Sequence, residues 1–146
     1  MPLYADAAAV QRHAGGAARL TEISDFDHNG DQDSGLVDLA IDSAEALIHS
    51  YSRKLYEVPF TVTIPPIIIE VAASLAVYNL KCWRDALTEQ DVLKYEQNVE
   101  WLTNLSKGLV DLGISPAPPV SGHVRATNTA RPTSKAVSRE KLKGFS

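Results

Sequence analysis

The sequence predicts an all-α fold: a small bundle of three long helices with a short N-terminal helix in front and an extended C-terminal tail behind. Three observations carry this. Apolar residues recur at three- and four-residue spacing over Val37 to Leu55 and again over Val92 to Leu112, which is the period of a helix with one buried face. Between them, Pro66 opens a long stretch without Gly or further Pro that is apolar on most sides. The links between these segments are short, as between neighbouring helices of a bundle.

The elements follow in order. Asp6 is placed to cap a helix over Ala7-Ala8-Ala9-Val10-Gln11-Arg12-His13, and Gly15-Gly16 to end it. A second short turn fits Ala17 to Ile23, followed by a carboxylate-rich loop from Asp25 to Ser34. The next helix is expected from about Gly35 to Leu55. It buries Val37, Ala40, Ile41, Ala44, Leu47, Ile48, Tyr51 and Leu55 and carries Asp38, Asp42, Glu45 and Ser52 on other faces. The connector Tyr56 to Pro65 is bounded by prolines and has room for a short extended piece at Phe60–Ile64.

The central helix begins at Pro65-Pro66, where a missing N–H leaves nothing unpaired, and runs towards Leu87 as a rod of roughly 30 Å. From Ile67 to Leu80 its clearly polar side chains are Glu70, Ser74 and Asn79, so burial from several sides is expected. Its uncharged run, Val71 to Leu80, falls far short of the ~20 residues a membrane span needs, and no membrane role is expected. Thr88-Glu89-Gln90-Asp91 has the form of a capping box. The helix after it presents Val92, Tyr95, Val99, Leu102, Leu105, Leu109 and Leu112, with Gly113 as its stop.

The chain is 146 residues long, 45% hydrophobic and 22% charged, which suits one globular domain with a real core. Residues 1–114 make up that domain. From Ser115 the chain turns Pro-, Ser- and Thr-rich with no apolar period, and 115–146 reads as a tail that cannot fold alone. Net charge is divided between the two. The tail sets Arg125, Arg131, Lys135, Arg139, Lys141 and Lys143 against Glu140, a net of +5, so the body carries −9 of the overall −4. An acidic body with a basic tail marks an interaction tail. An extended, Pro-rich segment suits a groove on a protein partner better than DNA, because its charges are spread out and Phe145 is its only aromatic.

Cys82 is the only cysteine. No internal disulfide can form, and a reducing compartment is expected, with the thiol buried and inert in the apolar helix. The N-terminus lacks the basic-then-apolar pattern of a secretory signal. His13, His28, His49 and His123 lie in unrelated segments without ligand spacing, and no phosphate-binding glycine loop occurs. Glu70 complements a helix start, and Trp83 and Trp101 fit the core or a subunit contact. No catalytic constellation emerges, so no enzyme is expected.

The sharpest local pattern is Asp25-Phe26-Asp27-His28-Asn29-Gly30-Asp31-Gln32-Asp33. Oxygen ligands at alternate positions followed by Gly open a calcium loop, with Asp25, Asp27, Asn29 and Asp33 as ligands and Ca²⁺ as the one cofactor in prospect. Leu36 stands where the bidentate Glu belongs. The competing reading is a solvated turn built on Asp and Asn side chains, with Ser34 capping the next helix.

The order of features carries a resemblance. Tyr4, then Leu20-Thr21-Glu22, then Ala40-Ile41-Asp42-Ser43-Ala44-Glu45-Ala46-Leu47-Ile48-His49-Ser50-Tyr51 lead to Arg53, Tyr56, Val58-Pro59 and Ile64-Pro65-Pro66. After them stand Tyr78-Asn79-Leu80, Lys94-Tyr95-Glu96, Lys107-Gly108 and Leu112-Gly113. Over about residues 3–114 this resembles the Mu-like family of small phage head–tail connector (adaptor) proteins, which often have Asp at the place of His49 and Leu at that of Ser52. The resemblance implies an all-α adaptor in the virion neck, assembled in the host cytoplasm. It implies a homo-oligomeric ring of twelve copies between the portal protein and the tail or tail-terminator protein, with the C-terminal tail reaching onto the portal. DNA would pass through the lumen without specific binding.

Overall fold

The computed structural model describes residues 2–61 and 63–117, and its helical unit runs through Pro116. Five helices make up this unit: α1 (Ala7–Ala14), α2 (Ala17–Ser24), α3 (Ser34–Ser52), α4 (Pro66–Trp83) and α5 (Glu89–Ser106). No strand occurs among the described residues, so the extended piece expected at Phe60–Ile64 is irregular coil where it is described.

The helix starts follow local chemistry. The Asp6 carboxylate accepts from the Ala9 N–H at 2.8 Å and caps α1. Pro66 is the first residue of α4, behind an extended Pro65. Thr88 and Asp91 exchange side-chain-to-backbone bonds and form the complete capping box of α5.

Three helices end in one way. In each, a residue in the left-handed region lets two N–H groups turn back onto the last carbonyls. Gly15 and Gly16 bond Arg12 O and Gln11 O after α1, and Gly108 and Leu109 bond Leu105 O and Asn104 O after α5. Asp85 (φ 56°) and Ala86 bond Cys82 O and Lys81 O after α4. Gly108, not Gly113, is therefore the stop of α5, and Leu109 stands beyond the helix, 73% exposed. Similarly α3 closes at Ser52, three residues before the expected Leu55.

α4 is the axis of the fold. It packs on α1, α2, α3 and α5, and Ile68, Val71, Ala72, Ala73, Leu75, Ala76, Val77 and Leu80 are buried. By length and mean hydropathy (1.2) it has the composition of a membrane span, but here its apolar surface lines a protein core. Three of its polar residues each tie it to a different neighbour. Glu70 meets His13 of α1 at 2.7 Å, Ser74 accepts from Asn98 of α5 at 2.9 Å, and Asn79 donates to the Ala40 carbonyl of α3 at 3.1 Å. The stacked rings of Tyr78 and Tyr95 add a further α4–α5 contact, with centroids 4.2 Å apart.

The expectation of a buried thiol near the end of α4 needs correction. Cys82 is an exposed free thiol, because it lies on the outer side of α4 near its end. Trp83 beside it is 41% exposed and stands outside the core. Apolar composition alone cannot tell the outward residues of the last turn from the inward ones.

Candidate functional site

The acidic loop between α2 and α3 is held together by its own side chains. Asp25 accepts from the Asn29 N–H and the Gly30 N–H, each at 2.9 Å. Asp27 accepts from the Asn29 amide side chain at 3.0 Å, and Asn29 Oδ1 accepts from the Asp31 N–H at 2.8 Å. Gly30 (φ 91°) takes the backbone conformation the turn requires. Asp33 caps α3 by accepting from the Leu36 N–H at 3.1 Å, so Asp33, not Ser34, is the cap residue.

Some desolvation of Asp25 works against ionisation, but the two loop N–H groups outweigh it and hold the carboxyl below the ordinary aspartate range. Arg84 anchors the loop to the end of α4. It donates to the Asp25 carbonyl at 2.7 Å, and its guanidinium lies 5.2 Å from the centre of the Phe26 ring. Of the four residues with calcium-loop spacing, Asp25, Asp27 and Asn29 are joined by hydrogen bonds within the turn, while Asp33 turns to the start of α3. Among the described residues no three His, Cys, Asp or Glu side chains converge to hold a metal ion.

A second polar cluster went unread in the sequence. Glu45 was expected on an outward face of α3, yet it is only 3% exposed. Its carboxylate gathers three consecutive backbone donors from the N-terminal strap: Leu3 N–H at 2.9 and 3.0 Å, Tyr4 N–H at 2.6 Å and Ala5 N–H at 3.3 Å. One turn further along α3, His49 Nε2 lies 2.5 Å from the Tyr4 hydroxyl, which also accepts from the Phe60 N–H at 2.9 Å. One tyrosine thereby joins the strap, α3 and the connector. A signal for this existed. Glu45 lies four residues after Ile41 and three before Ile48, inside the buried stripe of α3.

The same face of α3 holds Ser52, 1% exposed, with no hydrogen-bond partner for its hydroxyl. Nearby, an open groove of about 790 Å³ is lined by Val58, Pro59, Phe60 and Thr61 of the connector and by Ile114 and Ser115, close to the end of the described chain.

The basic residues expected to meet a partner, Arg125, Arg131, Lys135, Arg139, Lys141 and Lys143, lie outside the described residues.

Residues 4–128 match the family described as Bacteriophage Mu, Gp36. No curated protein matches the chain.

Proposed function

Since the chain belongs to the bacteriophage Mu Gp36 family, we propose that it is a structural head–tail connector of a tailed phage. In this reading it is an adaptor that acts by assembly, not catalysis, and needs no cofactor. Copies form a homo-oligomeric ring, of twelve in the fullest form of the proposal, between the portal protein and the tail or tail-terminator protein in the virion neck. The observation that carries the reading is the extent of the match. It takes in the helical body almost whole and continues past the last described residue.

Physical features agree with this reading. The body is a self-contained bundle that leaves Leu39, Ile67, Trp83, Leu93 and Leu109 exposed, and such side chains can serve head-to-tail contacts whose rotation closes into a ring. Residues 1–114 carry a net −9, so a lumen lined by this surface would let DNA slide without sticking. The basic tail is the natural grip on a portal surface.

The test mixes the purified protein with purified portal and looks for ring-on-ring particles by electron microscopy. Deleting residues 115–146 is expected to leave helical circular dichroism and melting nearly unchanged while abolishing docking. Failure of the full-length chain to dock on any portal, with the body folded, would overturn the assignment.

The alternative, a calcium-binding regulatory module, rests on the ligand spacing of the loop, in which the carboxyl groups of Asp25, Asp27 and Asp33 accept from N–H donors.

A further inference from the structure

The Tyr4 hydroxyl is shared between two partners, the Phe60 backbone N–H and His49 Nε2. The Phe60 backbone N–H can only donate, so the phenol oxygen accepts there. The single phenol proton is then free to go to His49 Nε2, and in that arrangement Nε2 presents its lone pair. The closed arrangement therefore holds a neutral His49 with its proton on Nδ1. A proton added at Nε2 would set a second donor against the phenol oxygen and strip the hydroxyl hydrogen of its acceptor, at a half-buried imidazole. Tyr4 lies edge-on to His49 and tilted against Phe60, and Phe60 is buried.

We propose that Tyr4, His49 and Phe60 form a proton-sensitive latch, closed while His49 is neutral and opened by its protonation, which parts the Tyr4 hydroxyl from α3 and releases the Phe60 N–H of the connector. Glu45 stays as the second hold on the strap through its three N–H partners, so opening is local and the bundle remains folded.

The charges acting on His49 come from its own helix: Glu45 one turn before it favours protonation, and Arg53 one turn after it opposes protonation. The strap adds the Tyr4 phenol and the connector adds the Phe60 N–H. Desolvation is the largest influence, and it leaves the imidazole below the ordinary histidine value. Burial likewise raises the Tyr4 hydroxyl above its ordinary value, so it stays protonated as a donor. The sign follows. The unfolded chain takes up the proton first, so the stability held in the latch is complete above about pH 6.5 and falls as pH drops towards the folded-state value.

Amide hydrogen exchange read by NMR and corrected for intrinsic rates tests this at about pH 7.5 and about pH 5.5, on either side of the ordinary histidine value. In the full chain, protection at Phe60 is expected to fall about tenfold at the lower pH, while the Leu3–Ala5 amides held by Glu45 and the core amides of α4 keep theirs. His49→Gln keeps an acceptor but cannot titrate, and its protection should be the same at both pH values. Equal protection of the wild type at both pH values, or an equal loss in His49→Gln, would overturn the latch. Tyr4→Phe supplies a second reading, since without the hydroxyl His49 should titrate closer to its ordinary value. An unmoved titration there would also sink the proposal.

Discussion

At the scale of single residues, the polar side chains buried on α3 decide the most. Glu45 accepts three backbone donors, of which those of Tyr4 and Ala5 are buried, so its loss strands buried donors without a partner. Glu45→Ala is expected to lower unfolding stability by about 3 kcal/mol, measured by urea denaturation. Ser52 is the opposite case. Its buried hydroxyl has no partner, so removing it relieves a desolvation penalty and leaves only a small void. Ser52→Ala should be neutral or stabilising by less than about 1 kcal/mol in the same measurement. Periodicity could not show either residue. A stripe drawn from apolar residues alone skips Glu45, although its place between Ile41 and Ile48 was readable, and it skips Ser52 for the same reason.

Helices as units were far more legible. Every one of the five was anticipated near its place, because caps and apolar spacing are local properties of the chain. The ends were less so. α5 stops on Gly108 and α3 stops at Ser52, while the apolar pattern ran on to Leu112 and Leu55. Those later side chains belong to the loops that follow each helix, and a pattern of apolar spacing does not record where the backbone turns. At the end of α4 the turn rests on Asp85 in the left-handed region, a conformation that costs a side-chain-bearing residue about 1–2 kcal/mol. Asp85→Gly is expected to raise stability by about 1 kcal/mol, seen as a higher melting temperature with unchanged helical content. At the start of α5, partial burial works to raise the Asp91 carboxyl, but bonds from Lys81 and Thr88 hold it below the ordinary range. That contribution is present above about pH 4 and is lost as pH falls further.

For the whole molecule, the all-α class was legible because three amphipathic segments with short links leave few other solutions. What holds the core helix was not. Its apolar circumference called for burial from several sides, and four helices of its own chain pack on it while Ile67, Cys82 and Trp83 stay exposed; no composition count can say which side each neighbour takes. The acidic loop was read as either ion site or turn, and the N–H partners of its carboxylates give the turn its structure. Adding millimolar Ca²⁺ is therefore expected to leave the melting temperature unchanged, whereas a marked rise would restore the ion site.

Three polar side chains bolt the middle helix to three different neighbours of its own chain, so the bundle is tied together from within. Such a body enters any larger architecture as a finished brick. Its association should then show a heat-capacity change proportional to contact area alone, without the extra share that accompanies folding on binding.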